Sequence, residues 1–266
     1  MEPETALTIL GGAIGSAKLL EKLLGPTADY LGGELRDYTE KGVGNLSRIF
    51  QHAAKTLGGR LEETGQVPPR VLKGILEEGY FCEDELTARY FGGVLASSRT
   101  GVARDDRAAS FVTLIGRLST YQVRSHFIFY SVFRSTCSGQ LVELGTDRVR
   151  DRLKLYIPMD EYVEAMDFQK GENPDALLTH VIHGLHQETL IGPYFGTGTK
   201  EVLVESQRIE VPSAGIVFSS SAVGLLLYLW AHGRGDTPLA SFLLEELPST
   251  ELPGLILPSH GKCYGL

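Results

Sequence analysis

Apolar side chains in the first half of the chain recur every three or four residues, the spacing that places them on one face of an α-helix. The clearest stripe consists of Leu46, Ile49, Phe50, Ala53 and Leu57. Two further stripes follow the Pro68-Pro69 pair; the first ends near Gly79 and the second follows the acidic run 83–85. The pattern therefore predicts helices over residues 5–61, 67–79 and 85–96, with prolines and acidic residues near their starts.

A capping box predicts where the next long helix begins. Ser119 and Gln122 stand three residues apart, directly before an aromatic-rich helical pattern that continues to about Phe133. Such a pair exchanges hydrogen bonds at a helix N-terminus. A shorter helix is predicted before it, over residues 108–118.

The pattern changes after Cys137. Short apolar runs predict strands at 153–158, 202–211 and 215–218. Helical spacing predicts helices at 177–188, 221–232 and 240–246. We therefore predict an α+β fold, predominantly α. It has a helical domain over residues 1–136 and a smaller mixed α/β domain over residues 137–266.

Two stretches are apolar enough to be compared with membrane helices. Residues 214–231 carry no charge over 18 positions, the lower length limit of a spanning helix, but the serines at 219–221 predict a strand, a turn and a helix instead. Lys18, Glu21 and Lys22 interrupt the glycine-rich stretch 7–24. Their charges exclude a membrane-spanning helix, but the stretch could lie on a membrane surface. The predicted membrane contacts are Leu7, Ile9, Leu10, Ile14, Leu19 and Leu20.

Composition narrows the function classes. The net charge is −8, which argues against a general nucleic-acid binder. Cys82, Cys137 and Cys263 are far apart in sequence and form no Cys-x-x-Cys pair, so neither a zinc ribbon nor a disulfide framework is indicated. The acidic N-terminal residues lack the basic start of a signal peptide. We expect a cytoplasmic protein with reduced thiols, no cofactor and no metal.

An ordered series of short motifs runs through the first half of the chain. Its members are Leu24-Gly25-Pro26, Gly32, Asn45-Leu46, Ile49, Val67-Pro68-Pro69-Arg70-Val71, Leu76-Glu77, Glu83-Asp84-Glu85-Leu86, Leu95-Ala96, Phe111 and Leu118-Ser119. In order and spacing this series resembles the abortive-infection alpha family of bacterial proteins, over about residues 23–130. The resemblance implies an intracellular protein of phage resistance and brings no catalytic residues. Gly92-Gly93 departs from it, since bulkier helical residues are expected there, and the region beyond Cys137 has no counterpart.

Three histidines recur at every third position of the predicted helix 177–188: His180, His183 and His186. Histidines three residues apart share a helix face, so two of them could hold one metal ion. No His-Glu-x-x-His motif accompanies them. We favour a helix whose histidines are partly exposed or bonded to carbonyls.

Other polar clusters point to structure more than to chemistry. Asp105-Asp106, between two arginines, predicts a cap with ion pairs. The serines at 219–221 lack the Gly-x-Ser-x-Gly pattern of a nucleophile elbow. Residues 195–200 lack the Walker A spacing of a phosphate loop and predict a hairpin or an exposed loop.

A band of cationic and aromatic side chains supplies the candidate binding residues: Arg117, Tyr121, Arg124, Phe127, Tyr130 and Arg134. Such mixtures bind single-stranded nucleic acid or lipid head groups. The alternative, which we favour, is an aromatic core face edged by arginines whose aliphatic stems cover it.

Three functional hypotheses follow. The first is a non-enzymatic sensor or adaptor that recognises a phage-derived structure and recruits a protein effector encoded nearby. The second is an effector that associates with a membrane through its glycine-rich N-terminal helices. The third is a metal-dependent enzyme that uses the histidine helix. We rank them in this order, because the family resemblance supports the first and no catalytic set is visible.

Overall fold

The structure of the protein is a computed structural model that describes residues 17–25, 40–102, 104–248 and 252–265. It confirms the predicted class, α+β and predominantly α. The helices are α1 (Ala17–Leu24), α2 (Glu40–Leu57), α3 (Pro69–Gly79), α4 (Glu85–Ser98), α5 (Ala108–Arg117), α6 (Thr120–Thr136), α7 (Asp147–Arg152), α8 (Met159–Met166), α9 (Pro174–Gln187), α10 (Lys200–Gln207) and α11 (Ala222–Ala231). The strands are β1 (Lys154–Pro158), β2 (Ile191–Gly198), β3 (Gly215–Ser220) and β4 (Lys262–Tyr264).

The chain forms two compact units. The first contains the described residues up to Leu118 together with 229–236, and the second contains 119–228 together with the described residues from 237 onward. The predicted boundary at residue 136 falls at the end of α6, whereas contacts assign α6 to the second unit.

The core of the first unit is built from the apolar faces of α2 to α5. The stripe predicted on α2 is buried along its whole length, with Leu46, Ile49, Phe50 and Ala53 fully inaccessible. Helix α3 begins at Pro69. The N–H groups of the first helical turn have no acceptor within the helix, so proline, which has no N–H, loses no hydrogen bond at this position. Asp84 caps α4, since its carboxylate accepts a hydrogen bond from the Thr87 N–H at 2.8 Å.

Gly92 and Gly93 lie where two other segments of the first unit approach α4 closely. A Cβ placed on Gly92 would lie 2.9 Å from the Ile49 carbonyl oxygen, and one on Gly93 would lie 1.7 Å from the Ala231 carbonyl oxygen. Both distances are shorter than real Cβ atoms allow, so the bulkier residues that the family resemblance led us to expect would not fit here.

The second unit contains an antiparallel four-stranded sheet with the order β2-β3-β1-β4. One row of the sheet takes a residue from each strand, namely Phe195, Phe218, Leu155 and Cys263. Helix α6 covers this face, and the Phe129 ring stacks on Phe218 with centroids 4.4 Å apart. On the other face, Tyr156 and Val217 pack with Leu203 of α10.

Helix α6 begins with the predicted capping box, which the structure confirms. Ser119 Oγ accepts a hydrogen bond from the Gln122 N–H at 3.3 Å, and Gln122 Oε1 accepts one from the Ser119 N–H at 2.8 Å. Most of the helix is buried. Tyr130 is fully buried and donates to the Leu190 carbonyl at 2.6 Å.

Three expectations for the second half of the chain were wrong. The predicted strand 202–211 is helix α10 followed by irregular chain, and the hairpin or exposed loop predicted at 195–200 is the end of strand β2 followed by the start of α10. The predicted helix 240–246 is reduced to a 3-10 turn over Leu239–Ser241. The strand-turn-helix predicted for 214–231 is confirmed as β3 and α11.

No helix in the described ranges is both long enough and apolar enough to cross a membrane. The predicted membrane contacts Leu7, Ile9, Leu10 and Ile14 lie outside the described residues, as does the side chain of Leu20. Leu19 is half-buried on α1.

Candidate functional site

Helix α7 presents two arginines on one face of the second unit. Arg148 and Arg152 are four residues apart, so their side chains project in the same direction, and both are exposed. Arg150 faces the other way and is buried; it donates hydrogen bonds to the Leu144 carbonyl and to the Asp147 carboxylate. Arg150 therefore fixes the short helix so that Arg148 and Arg152 face outward.

Lys154 and Tyr194 meet on the sheet face opposite α6. Lys154 pairs with Ser219 in the β1–β3 ladder, and the Tyr194 N–H donates to Ser219 Oγ at 3.3 Å, so β3 aligns the two residues. The Lys154 ammonium lies 5.3 Å from the centroid of the Tyr194 ring, a cation–π distance. Lys154 Nζ also donates to the Gln207 carbonyl at 2.6 Å.

These side chains border an open hollow of about 770 Å³. Its lining consists of Arg148, Asp151, Arg152, Lys154, Tyr194 and Gly265. Arg208, in left-handed conformation directly after α10, is outside this lining but lies close enough to Lys154 for their charges to interact. Burial and then the charge of Arg208 hold the pKa of Lys154 below its usual value. We call Arg148, Arg152, Lys154, Arg208 and Tyr194 the basic cluster.

No carboxylate among the described residues pairs with the arginines of the basic cluster. Within the described part of the chain, the side chains of Arg148, Arg152 and Arg208 have no hydrogen-bond or ion-pair partner. Asp151 is the one described carboxylate that lines the hollow. Because the whole chain has a net charge of −8, this surface is a local electropositive exception. Arginine presents a planar fork of N–H donors that matches phosphate and carboxylate oxygens.

A cleft of about 680 Å³ in the first unit makes an instructive contrast. It also contains several cations, but carboxylates pair with most of them: Arg70 contacts Asp106 at 3.0 Å, and Lys73 contacts Glu77 at 3.7 Å. Arg107 contacts Asp105 at 2.7 Å and Asp236 at 2.6 Å. The hydrogen bonds from Arg107 hold the pKa of Asp105 low. The ion pairs predicted around Asp105-Asp106 are thus present, and they leave this cleft little net attraction for an anion. The predicted cap is not, because the N-cap residue of α5 is Arg107 and no side chain caps this helix.

The six side chains of the predicted binding band do not form one surface. Phe127 and Tyr130 are buried and pack around Tyr228, as the alternative interpretation expects. A ligand on the surface would meet only the other four, Arg117, Tyr121, Arg124 and Arg134. Their binding role stays a prediction.

Those four side chains have different surroundings. Arg117 is exposed in the cleft of the first unit. In the second unit, Arg124 donates to the Ala165 carbonyl at 2.8 Å, and Arg134 donates to the carbonyls of Phe242 and Glu245. Tyr121 donates to the Glu172 carboxylate. Arg124 and Arg134 therefore join neighbouring segments of the second unit.

The histidine helix is α9, and its histidines contact different groups. His180 Nε2 lies 3.0 Å from Ser119 Oγ. His183 and His186 both contact the Phe195 ring, with centroids 5.8 and 4.6 Å away. Across the residues that the structure describes, no group of three or more His, Cys, Asp or Glu side chains is placed to hold a metal ion.

Ser259, His260 and Glu161 form an exposed cluster that resembles a hydrolase triad in composition only. His260 Nδ1 lies 2.8 Å from Glu161 Oε1 and 3.2 Å from Ser259 Oγ. In a working triad the acid and the serine contact opposite ring nitrogens. Because both contact the same nitrogen here, the histidine cannot pass a proton from the serine while the acid orients it.

Sequence reasoning missed the basic cluster, although part of it was visible. Residues 148–154 contain four basic side chains at alternating positions, Arg148, Arg150, Arg152 and Lys154. Tyr194 and Arg208 join them only through the β2–β3 pairing and the turn after α10. Neither the strand pairing nor the turn produces a local pattern in the amino-acid sequence.

Comparison of this chain with protein-family models, curated proteins and solved structures finds no significant match in any of the three.

Proposed function

We propose that the protein is a cytoplasmic sensor or adaptor of phage defence, which binds a phosphate-bearing ligand of phage origin at the basic cluster and recruits a protein effector. The defence context rests on the resemblance of residues 23–130 to the abortive-infection alpha family. The recognition step rests on a single observation, the arginines near Tyr194 that no described carboxylate pairs with.

The charges favour phosphate over other anions. A phosphate group carries up to two negative charges and three acceptor oxygens, and the fork of an arginine can bond two of these oxygens at once. Arg148 and Arg152 supply two such forks from one helix face, and Lys154 adds a third cation beside them. A carboxylate ligand carries one negative charge and would neutralise only one of these three cations.

The ring of Tyr194 suggests a nucleotide. It lies in the wall of the hollow and 47% of the residue is exposed, so its outer side offers a surface on which a base can stack. A hollow of about 770 Å³ is within the usual size of small-ligand sites, roughly 300–1,000 Å³. A ligand with its phosphates on the arginines and its base on Tyr194 fits this arrangement.

Binding is tested by titrating the full chain with fluorescent mant-ATP and recording anisotropy. Charge-assisted hydrogen bonds contribute about 1.5–3 kcal/mol each, and about 1.4 kcal/mol corresponds to tenfold in affinity. The Arg148→Ala/Arg152→Ala variant is therefore expected to bind at least about tenfold more weakly than wild type. Inorganic pyrophosphate is expected to compete, and adenosine is not.

The matched control is Arg70→Ala/Lys73→Ala, which removes the same charge from the paired cleft of the first unit. It is expected to retain wild-type affinity. Equal loss in both double variants would mean that net charge alone drives binding. That result, or no binding by wild type, contradicts the proposed recognition step.

The defence role is tested by expressing wild type and both double variants in a bacterial host and counting phage plaques. Protection is expected from wild type and from the control, and not from Arg148→Ala/Arg152→Ala. Affinity purification from infected cells, analysed by mass spectrometry, is expected to yield an effector protein. Failure of wild type to protect, or to retain any phage or host component, removes the sensor function.

A further inference from the structure

Two of the three cysteines, far apart in sequence, are neighbours in the second unit. Cys137 is the residue at which α6 ends, and its N–H donates to the Phe133 carbonyl at 3.0 Å. Cys263 is the middle residue of the edge strand β4. The two thiols are close enough for each to shift the pKa of the other.

The fold aims the Cys263 side chain at the end of α6. Cys263 pairs with Leu155, which pairs with Phe218, and this row faces α6. The chain just before β4 lies directly on the last turn of that helix, since a Cβ placed on Gly261 would lie 2.5 Å from Val132 Cγ1. The proximity of the thiols therefore follows from sheet register and helix packing together.

The two thiols differ in access and acidity. Cys137 is fully buried, whereas Cys263 is partly exposed. The interaction between the two thiols lowers the pKa of Cys263 and raises that of Cys137. Because the thiolate is the reactive form, Cys263 is the residue that meets an oxidant first.

We propose that Cys137 and Cys263 are a redox modification site and form a reversible intramolecular disulfide when the protein meets hydrogen peroxide. The Cys263 thiolate attacks one peroxide oxygen, the O–O bond breaks, and a sulfenic acid forms with release of water after proton uptake. The Cys137 sulfur then attacks the Cys263 sulfur, the S–O bond breaks, and a second water leaves with the thiol proton. One peroxide accepts the two electrons that the two thiols lose, and a dithiol reductant reverses the reaction by exchange.

The disulfide would clamp β4 to α6 at the rim of the basic cluster. Gly265, two residues after Cys263, lines the hollow, and a Cβ on it would lie 2.3 Å from the Arg152 carbonyl oxygen. Fixing β4 therefore holds this rim in place before a ligand binds. An effect on ligand binding rests on the proposed function; formation of the disulfide does not.

In the test, the folded full chain is exposed to hydrogen peroxide. The number of free thiols is then determined, and the intact mass is measured. Oxidised wild type is expected to fall from three free thiols to one and to lose about 2 Da. A cross-linked peptide should join Cys137 to Cys263 and disappear after dithiothreitol. In hydrogen-exchange mass spectrometry, amides of β4 are expected to exchange at least about tenfold more slowly after oxidation.

Matched variants separate the roles of the cysteines. Cys82→Ser is expected to form the disulfide as wild type does, and Cys137→Ser to stop at a sulfenic acid on Cys263 that dimedone labels. Retention of three thiols by wild type, or linkage between two chains, overturns the proposal. Peptide mapping of wild type decides the matter even when a variant fails to fold.

Titration of reduced and oxidised wild type with mant-ATP tests the effect on the basic cluster. Oxidation is expected to tighten binding at least about threefold by ordering the rim. Equal affinities, with the disulfide verified by mass, overturn the proposed effect on binding. Absence of binding in both redox states counts against the proposed function and leaves the disulfide intact.

Discussion

Gly93 of α4 lies directly against the main chain of Ala231 within the first unit. A Cβ placed on Gly93 would lie 1.7 Å from the Ala231 carbonyl oxygen and 2.2 Å from its carbonyl carbon. Hydrogen bonds fix the contact, because Ser97 Oγ donates to the Trp230 carbonyl at 3.0 Å and accepts from the Gly235 N–H at 3.2 Å. A backbone held in this way cannot move aside as the end of a flexible side chain could.

The Gly93→Ala variant is expected to unfold at a lower urea concentration than wild type. Overpacking a rigid contact costs about 1–3 kcal/mol or more, which exceeds the gain of about 1 kcal/mol from replacing glycine in a helix. The matched control is Gly44→Ala in α2, where no atom lies within 4 Å of the added Cβ. The free energy of unfolding of that variant is expected to rise by about 0.5–1 kcal/mol. If both variants shift the unfolding midpoint in the same direction, the close contact at Gly93 does not explain the effect.

Much of the fold could be predicted because helix signals are local. The stripe from Leu46 to Leu57 and the Ser119–Gln122 box lie within single helices, and both are confirmed. Strand β2 was missed because three of its eight residues are glycine, which weakens the strand signal, and pairing with β3 decides its conformation. Helix α10 was predicted as a strand because a short apolar run around Leu203 fits either structure.

The candidate site could be predicted only in part. The alternating cations at 148–154 are visible in sequence, but which of them point outward is not. Arg150 turns inward because the Leu144 carbonyl and the Asp147 carboxylate accept its hydrogen bonds. Neighbours distant in sequence result from tertiary structure that composition and periodicity do not specify: the register of the sheet places Tyr194 beside Lys154, and register together with the packing of α6 places Cys263 beside Cys137.

Loss of the capping box is expected to destabilise the second unit. Ser119→Ala removes the acceptor for the Gln122 N–H and also the contact with His180 Nε2; losing the cap alone costs about 0.5–2 kcal/mol. Urea unfolding followed by circular dichroism measures the change. The control is Ser135→Ala on the exposed side of the same helix, which is expected to be neutral or slightly stabilising because alanine has the higher helix propensity. A Ser119→Ala variant as stable as wild type would show that neither the cap nor the His180 contact contributes to stability.

Cys82 is expected to resist alkylation near neutral pH. Burial, and next the Asp84 carboxylate, raise the pKa of Cys82 to about 11, so at pH 8 only about one thiol in a thousand is ionised, against roughly a quarter for an ordinary cysteine of pKa 8.5. The folded protein stays protonated at this position until the pH approaches 11, and the labelling rate with iodoacetamide should rise about tenfold per unit between pH 8 and pH 10. Peptide mapping by mass spectrometry gives the rate for Cys82 alone. A rate that does not change over this pH range would contradict the raised pKa.

The ring of Tyr194 provides the sharpest test of whether the basic cluster binds a nucleotide or phosphate alone. Stacking of a base on an aromatic ring contributes about 1–3 kcal/mol, so Tyr194→Ala is expected to weaken mant-ATP binding roughly 5- to 150-fold, since about 1.4 kcal/mol is tenfold. Tyr194→Phe keeps the ring, and no described group accepts a hydrogen bond from the Tyr194 hydroxyl, so this variant should bind as wild type does. Pyrophosphate affinity, measured by competition, should change little in either variant, because its contacts are with Arg148 and Arg152. If Tyr194→Ala weakens both ligands equally, the ring acts only by positioning Lys154 at 5.3 Å, and the ligand is an anion without a stacked base.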